Sequence, residues 1–211
     1  MTIAGRDAQT PLDGAALVRR GLKPAVFVLG CLPLAWLVAA AAGGNLGVNP
    51  IEYVIRFNGD WALRFLLIAL AVTPVRLLTG WADIGRVRRM LGLFAFFYVC
   101  LHILAYVGLD QFFDWAAIWK DVVKRVYITI GMAAFVTLVP LAVTSTNAMI
   151  RRLGRRWQQL HRLIYLAVLT GIVHFWWVVK ADFREPRWLA TAVCVLFGFR
   201  VWWAVRSRWS A

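Results

Sequence analysis

Apolar residues in this chain fall into six long blocks separated by short polar connections. The blocks run from Pro24 to Ala42, from about Trp61 to Val75, from Met90 to Leu109, from Val126 to Val143, from Gln159 to Trp177, and from near Trp188 onward. About 20 apolar residues carry a helix across a hydrocarbon core of about 30 Å. The pattern therefore predicts an all-α integral membrane protein: a six-transmembrane-helix bundle over residues 23–206, with a polar tail at 1–22 and a short one at 207–211. The first block ends in alanines, as a cleaved signal does. Its 19 residues exceed the usual apolar region of about 7–15, so it reads as an uncleaved span. Arg64 sits one turn into the second block, where its long side chain can snorkel to an interface, and Pro140 marks a kink site in the fourth. No internal repeat is apparent.

Composition agrees, with 62% hydrophobic and 16% charged residues in 211. Little chain is left for a soluble domain, and no GxGxxG follows a strand to build a nucleotide fold. A net charge of +14 raises nucleic acid as a partner, but no Lys/Arg run lies on a polar domain able to grip a duplex. In a membrane protein such charge reports orientation instead. Six spans place both termini on one side. That side carries 14 basic residues, grouped around Arg19, Arg88, Arg155 and Arg206, against Asp7, Asp13 and Asp83. The other side carries seven basic and seven acidic residues. The asymmetry predicts that both the N-terminus and the C-terminus are cytoplasmic. Cys31, Cys100 and Cys194 lie inside apolar blocks without metal-ligand or CxxC spacing and read as small buried residues.

The candidate chemistry sits on three histidines, His102, His161 and His174. Ionisable groups in membrane spans are expensive and mark function by default. His102 lies 13 residues after Arg89, and His174 lies 13 after His161, a rise of about 20 Å in each case. His102 and His174 thus share a depth in the half of the membrane remote from the termini, while His161 lies near the other interface. Two neutral imidazoles facing each other from adjacent helices are what axial ligation of a b-type haem requires. Thirteen residues also turn a helix through about 3.6 turns, which leaves His161 and His174 on different faces unless the helix is irregular, for example at Thr170-Gly171. Two other readings stand beside the haem: plain hydrogen bonds between helices, and proton relay in a cofactor-free proton-coupled membrane transporter. The relay would want Asp or Glu nearby, and the spans supply none.

The elements Thr73-Pro74, Arg88-Arg89-Met90-Leu91-Gly92-Leu93, Leu141-Ala142-Val143-Thr144-Ser145, Arg152-Leu153-Gly154, Trp157, Leu160-His161-Arg162-Leu163-Ile164-Tyr165 and His174-Phe175-Trp176-Trp177 together resemble one family. It comprises the haem-binding membrane subunits of bacterial periplasmic protein-methionine-sulfoxide reductase systems (the MsrQ family), within the ferric reductase-like transmembrane superfamily. The resemblance covers roughly residues 24 to 205. It implies a multi-pass protein of the bacterial inner membrane, an electron-transfer subunit rather than a complete enzyme. Electrons would pass from a cytoplasmic flavin reductase, or quinol, to a periplasmic molybdopterin-containing catalytic subunit. It further implies that His102 and His174 hold a haem b and that His161 is one ligand of an inner site, whose expected fourth histidine falls on Arg89 or Arg88. Arginine has no lone pair to offer iron. A second haem with one protein ligand, or an FMN, would then lie near His161, with Arg88, Arg89 and Arg200 holding propionate or phosphate. A stand-alone haem-containing metal reductase is the neighbouring alternative.

Overall fold

The structure, a computed structural model, describes residues 14–179 and 184–209. The remainder of the tails predicted at 1–22 and 207–211 lies outside the described residues. Among the described residues every regular element is a helix, and the α-helices are α1 (Gly14–Ala42), α2 (Pro50–Thr79), α3 (Arg88–Ala105), α4 (Trp115–Lys124), α5 (Val126–Val143), α6 (Asn147–Leu153), α7 (Arg155–Leu160), α8 (Leu163–Val178) and α9 (Arg184–Trp209). Six helical stretches are long and apolar enough to cross a membrane. Their outward faces carry Phe27, Leu29, Val136, Val195 and Val201, all exposed, as only a lipid-facing surface tolerates on this scale. The protein is a six-span, multi-pass membrane bundle.

The second span starts earlier than its apolar block. Asn49 caps α2 by accepting from the Glu52 amide at 3.2 Å while donating to the Glu52 carboxylate at 3.0 Å, and Pro50 occupies the first turn, where its missing N–H costs nothing. Arg56 pairs with Glu52 at 2.6 Å, one turn apart. These local bonds carry the helix across a polar stretch that lowers its hydropathy. Gly80 ends it in the left-handed region at φ 70°, a conformation glycine adopts freely. The consequence corrects the sequence reading of Arg64: it lies midway along a 30-residue helix, not one turn from its start.

α2 runs antiparallel to α3, and α5 runs antiparallel to α8; these are the two closest helix pairings. Phe65 of α2 stacks on Phe94 and Tyr98 of α3, with ring centres 5.5 and 5.3 Å apart. Fully buried Tyr98 also fastens α1. Its hydroxyl donates to the Gly30 carbonyl at 2.9 Å and accepts from the Leu34 amide at 3.0 Å, so it is inserted into one rung of the α1 ladder beside Pro33. A Cβ at Gly30 would fall 2.5 Å from the Phe94 ring, so only glycine permits this approach. Phe96 of α3 and Phe135 of α5 join the two pairs, stacked at 6.0 Å.

At one end of the bundle, Arg76, Arg86, Arg88, Arg89, Arg151, Arg152, Arg155 and Arg156 fall at helix ends and connections; this is the basic end. At the opposite, mixed-charge end, α3 loosens into a π-turn over Tyr106–Asp110. Phe112 and Phe113 then take left-handed backbone at φ 46° and 62°, strained for residues with a side chain, and turn the chain into α4. That helix is capped by Asp114, whose carboxylate accepts from the amides of Ala116 and Ala117 at 3.0 Å.

Candidate functional site

Each of the two deep histidines is oriented by a backbone carbonyl on the helix behind it. His102 on α3 bonds through Nδ1 to the Ile55 carbonyl of α2 at 2.8 Å, and His174 on α8 through Nδ1 to the Tyr127 carbonyl of α5 at 2.6 Å. A carbonyl can only accept, so both Nδ1 atoms carry the proton and both Nε2 atoms keep a lone pair. This is the state of a metal-ligating imidazole steadied from behind.

Glycine makes both contacts sterically feasible. A Cβ at Gly59 would stand 3.1 Å from His102 Nδ1, and one at Gly131 would stand 2.8 Å from His174 Nδ1. Gly59 follows Ile55 by one turn, and Gly131 follows Tyr127 by one turn. In each case the ring lies in the gap that the missing side chain leaves and reaches the carbonyl exposed there.

The two rings stand with centres 6.2 Å apart and planes crossed at 82°. Two imidazoles on opposite sides of one metal ion, each nitrogen about 2 Å from the metal and about 1 Å from its own ring centre, have centres roughly 6 Å apart. The separation of the ring centres therefore matches that of two imidazoles sharing one metal ion. Among the described residues no group of three His, Cys, Asp or Glu converges on a metal site. Two axial donors alone suit a metal whose equatorial positions are filled by a macrocycle.

The paired arrangement reveals a repeat that the sequence reading had missed. A shift of 72 positions takes Ile55 to Tyr127, Gly59 to Gly131 and His102 to His174, and each histidine follows its carbonyl partner by 47 residues. The hairpins α2–α3 and α5–α8 are thus two copies of one ligand-holding unit. The same shift takes Thr73 to Ser145 and Arg89 to His161.

Those four positions line a cavity of about 490 Å³ at the basic end, together with Arg76, Arg88, Arg162, Tyr165 and Arg200. Its lining holds five arginines and no carboxylate. Arg88 donates to Thr73 Oγ1 at 3.4 Å and Arg89 to Asn147 Oδ1 at 2.6 Å. Arg200 reaches across from α9, donating to the Tyr165 hydroxyl and the Leu70 carbonyl, both at 2.7 Å, while its Nε is buried without a hydrogen-bond partner. His161 stacks on Trp157 at 3.8 Å, and the Trp157 indole N–H donates to the Thr144 carbonyl at 3.0 Å. His161 Nδ1 bonds to the Trp157 carbonyl at 3.0 Å, and its buried Nε2 has no hydrogen-bond partner.

The helical irregularity that frees His161 lies elsewhere than expected. α8 is continuous through Thr170-Gly171, and the break falls at His161-Arg162, between α7 and α8. His161 therefore does not share the face arithmetic of His174. The three cysteines are free, and two of them, Cys31 and Cys194, are exposed rather than buried. The residues that sequence reading overlooked are Ile55, Gly59, Tyr127 and Gly131. Two of them act through backbone carbonyls and two through absent side chains, so only the paired 72-residue shift could have found them.

A bundle of this kind, with an opposed histidine pair between two helical hairpins, belongs to the class of membrane bundles that can hold a cofactor between facing helices. The family model of the ferric reductase like transmembrane component matches residues 58–172. The heme-binding subunit MsrQ of the protein-methionine-sulfoxide reductase of Rhodospirillum rubrum is 59% identical over 87% of this chain and 89% of its own length. The subunits of the same name from Herminiimonas arsenicoxydans (50% identical; 89% of this chain, 87% of the relative) and Caulobacter vibrioides (51%; 82% and 84%) are similar over comparable spans. The chain belongs to the ferric reductase-like transmembrane family and, within it, to the MsrQ subunits.

Proposed function

We propose that the chain is the haem-carrying, electron-transferring membrane subunit of a protein-methionine-sulfoxide reductase system. The observation that carries this reading is the spacing of His102 and His174, 6.2 Å between ring centres with each Nδ1 engaged behind. A haem b held there would supply reversible one-electron chemistry. The protein's part is to fix both imidazoles, keep Nε2 deprotonated and exclude water by burial.

The charge asymmetry supports an orientation in the bacterial inner membrane with the basic end and both termini in the cytoplasm. The histidine pair then lies toward the periplasm, near a molybdopterin-containing catalytic subunit. The basic cavity lies toward a cytoplasmic donor, a flavin reductase or quinol. About 20 Å separates the two levels, by the rise from His161 to His174, which calls for an inner relay. His161, with a buried and unpartnered Nε2, is the single protein ligand available for a second haem. The five arginines equally suit the phosphate of an FMN. Arg88, Arg89 and Arg200 serve as anion holders in either case.

Metal content and absorbance of the purified full-length protein test this. His102→Ala and His174→Ala are each expected to abolish the outer haem's reducible Soret and α bands. His161→Ala and Arg89→Ala are expected to lower the haem or flavin carried per chain by the inner site. Wild-type spectra in both outer variants would refute the reading of the pair, and unchanged stoichiometry in both inner variants would refute the inner site. A colourless wild-type protein would favour the cofactor-free transporter.

A further inference from the structure

Directly beyond the histidine pair, at the mixed-charge end, a continuous polar chain joins the two hairpins. Tyr106 stands one turn after His102, and its amide donates to the His102 carbonyl. Its hydroxyl donates to Asp121 Oδ2 of α4 at 3.1 Å. The other Asp121 oxygen pairs with Arg125 Nε at 3.1 Å, and Arg125 Nη1 donates to the Tyr127 hydroxyl at 3.3 Å. The carbonyl of that same Tyr127 receives His174 Nδ1. The chain therefore begins at the backbone of one histidine and ends at the residue that orients the other.

A comparison within the molecule shows that this is more than a surface ion pair. Glu52 and Arg56 form a pair of the same spacing at the same end, with side chains 49% and 51% exposed. Such pairs contribute little. Arg125 is as exposed as Arg56, at 53%, but Asp121 is only 16% exposed and has acquired a second donor, the Tyr106 hydroxyl, from outside its own helix. α3 and α8 belong to different hairpins, so their relation must be set by groups that bridge them. The Phe96–Phe135 stack does so deeper in the bundle, and Asp121 does so at the level just past the histidines.

We infer that Asp121 is a positioning residue: through Tyr106 on one side and Arg125 and Tyr127 on the other, it sets the separation and relative rotation of the His102 and His174 rings, and its carboxylate holds the site's midpoint potential down. The inference rests on the haem reading above. Replacing the carboxylate with an amide removes a negative charge near the site and favours the reduced, less positive form less weakly than before, so the potential moves upward. Removing the Tyr106 hydroxyl changes no charge and acts on geometry alone.

The test uses the purified, haem-loaded full chain, with haem content, the midpoint potential and the low-temperature EPR spectrum of the oxidised protein as readouts. Asp121→Asn and Tyr106→Phe are expected to retain haem while changing the EPR anisotropy, which reports the angle between axial imidazole planes. Asp121→Asn alone is expected to shift the potential positive, and Glu52→Gln is expected to match wild type in every readout. Wild-type EPR spectra and potentials in both variants at full haem content overturn the strut and leave the haem reading intact. Should Asp121→Asn fail to assemble, Tyr106→Phe, which removes a single hydroxyl, decides: a shifted EPR spectrum supports the strut and an unshifted one overturns it. A wild-type protein without bis-histidine haem overturns both readings.

Discussion

The two ends of this bundle are built from the same repeated unit and finished differently. At the His102–His174 level both copies supply a histidine, a glycine and a carbonyl, and the two rings face each other at 6.2 Å. At the basic end the equivalent positions carry Arg89 in one copy and His161 in the other, and Arg89 donates to Asn147. The first level is matched and closed by hydrogen bonds. The second is an arginine-lined cavity whose one histidine keeps a buried, unpartnered nitrogen. In the proposed reading each level offers one ligand pair, and the residue at position 89 is what leaves the second incomplete.

Beyond removal of the two ligands themselves, the largest effect expected from disturbing this comparison comes from the cradle of the matched pair. Gly131→Ala places a methyl group 2.8 Å from His174 Nδ1, so ring or helix must shift. Loss of an orienting contact behind a ligand typically weakens metal binding about 10- to 100-fold, and haem retained per chain on dilution or in competition with apomyoglobin measures it. Gly59→Ala, at 3.1 Å from His102 Nδ1, is expected to act in the same direction and less severely. The smallest effect is a gain: Arg89→His should complete the second pair and raise haem per chain with a new low-spin contribution, without altering the outer site's spectrum. An Arg89→His protein with unchanged haem content would show that position, not ligand type, separates the two ends.

Much of this architecture could be read from the hydropathy pattern because a membrane span must be long, apolar and helical. The run Val126 to Val143 coincides with α5, and the shared depth of His102 and His174 follows from helical rise alone. The start of α2 was hidden because Glu52, Arg56, Asn58 and Asp60 depress its hydropathy while cap and ion-pair bonds keep it helical. α4 was hidden because ten residues are too few to span. The place of the helix break at His161-Arg162 was hidden because nothing there is proline or glycine. The cradle was hidden because carbonyls and absent side chains leave no chemical signature, and the repeat was hidden because, beyond its glycine and histidine positions, the identities it keeps are scattered common apolar residues such as Ala62/Ala134 and Leu66/Leu138.

EPR of the oxidised wild-type protein tests the central claim most directly, since it reads both the identity and the geometry of the axial ligands. Imidazole planes crossed at 82° predict a strongly anisotropic low-spin signal with its largest g-value well above that of parallel-plane bis-histidine haems, absent from His102→Ala and from His174→Ala. An ordinary rhombic signal from parallel planes, or a signal that survives both substitutions, would contradict the account.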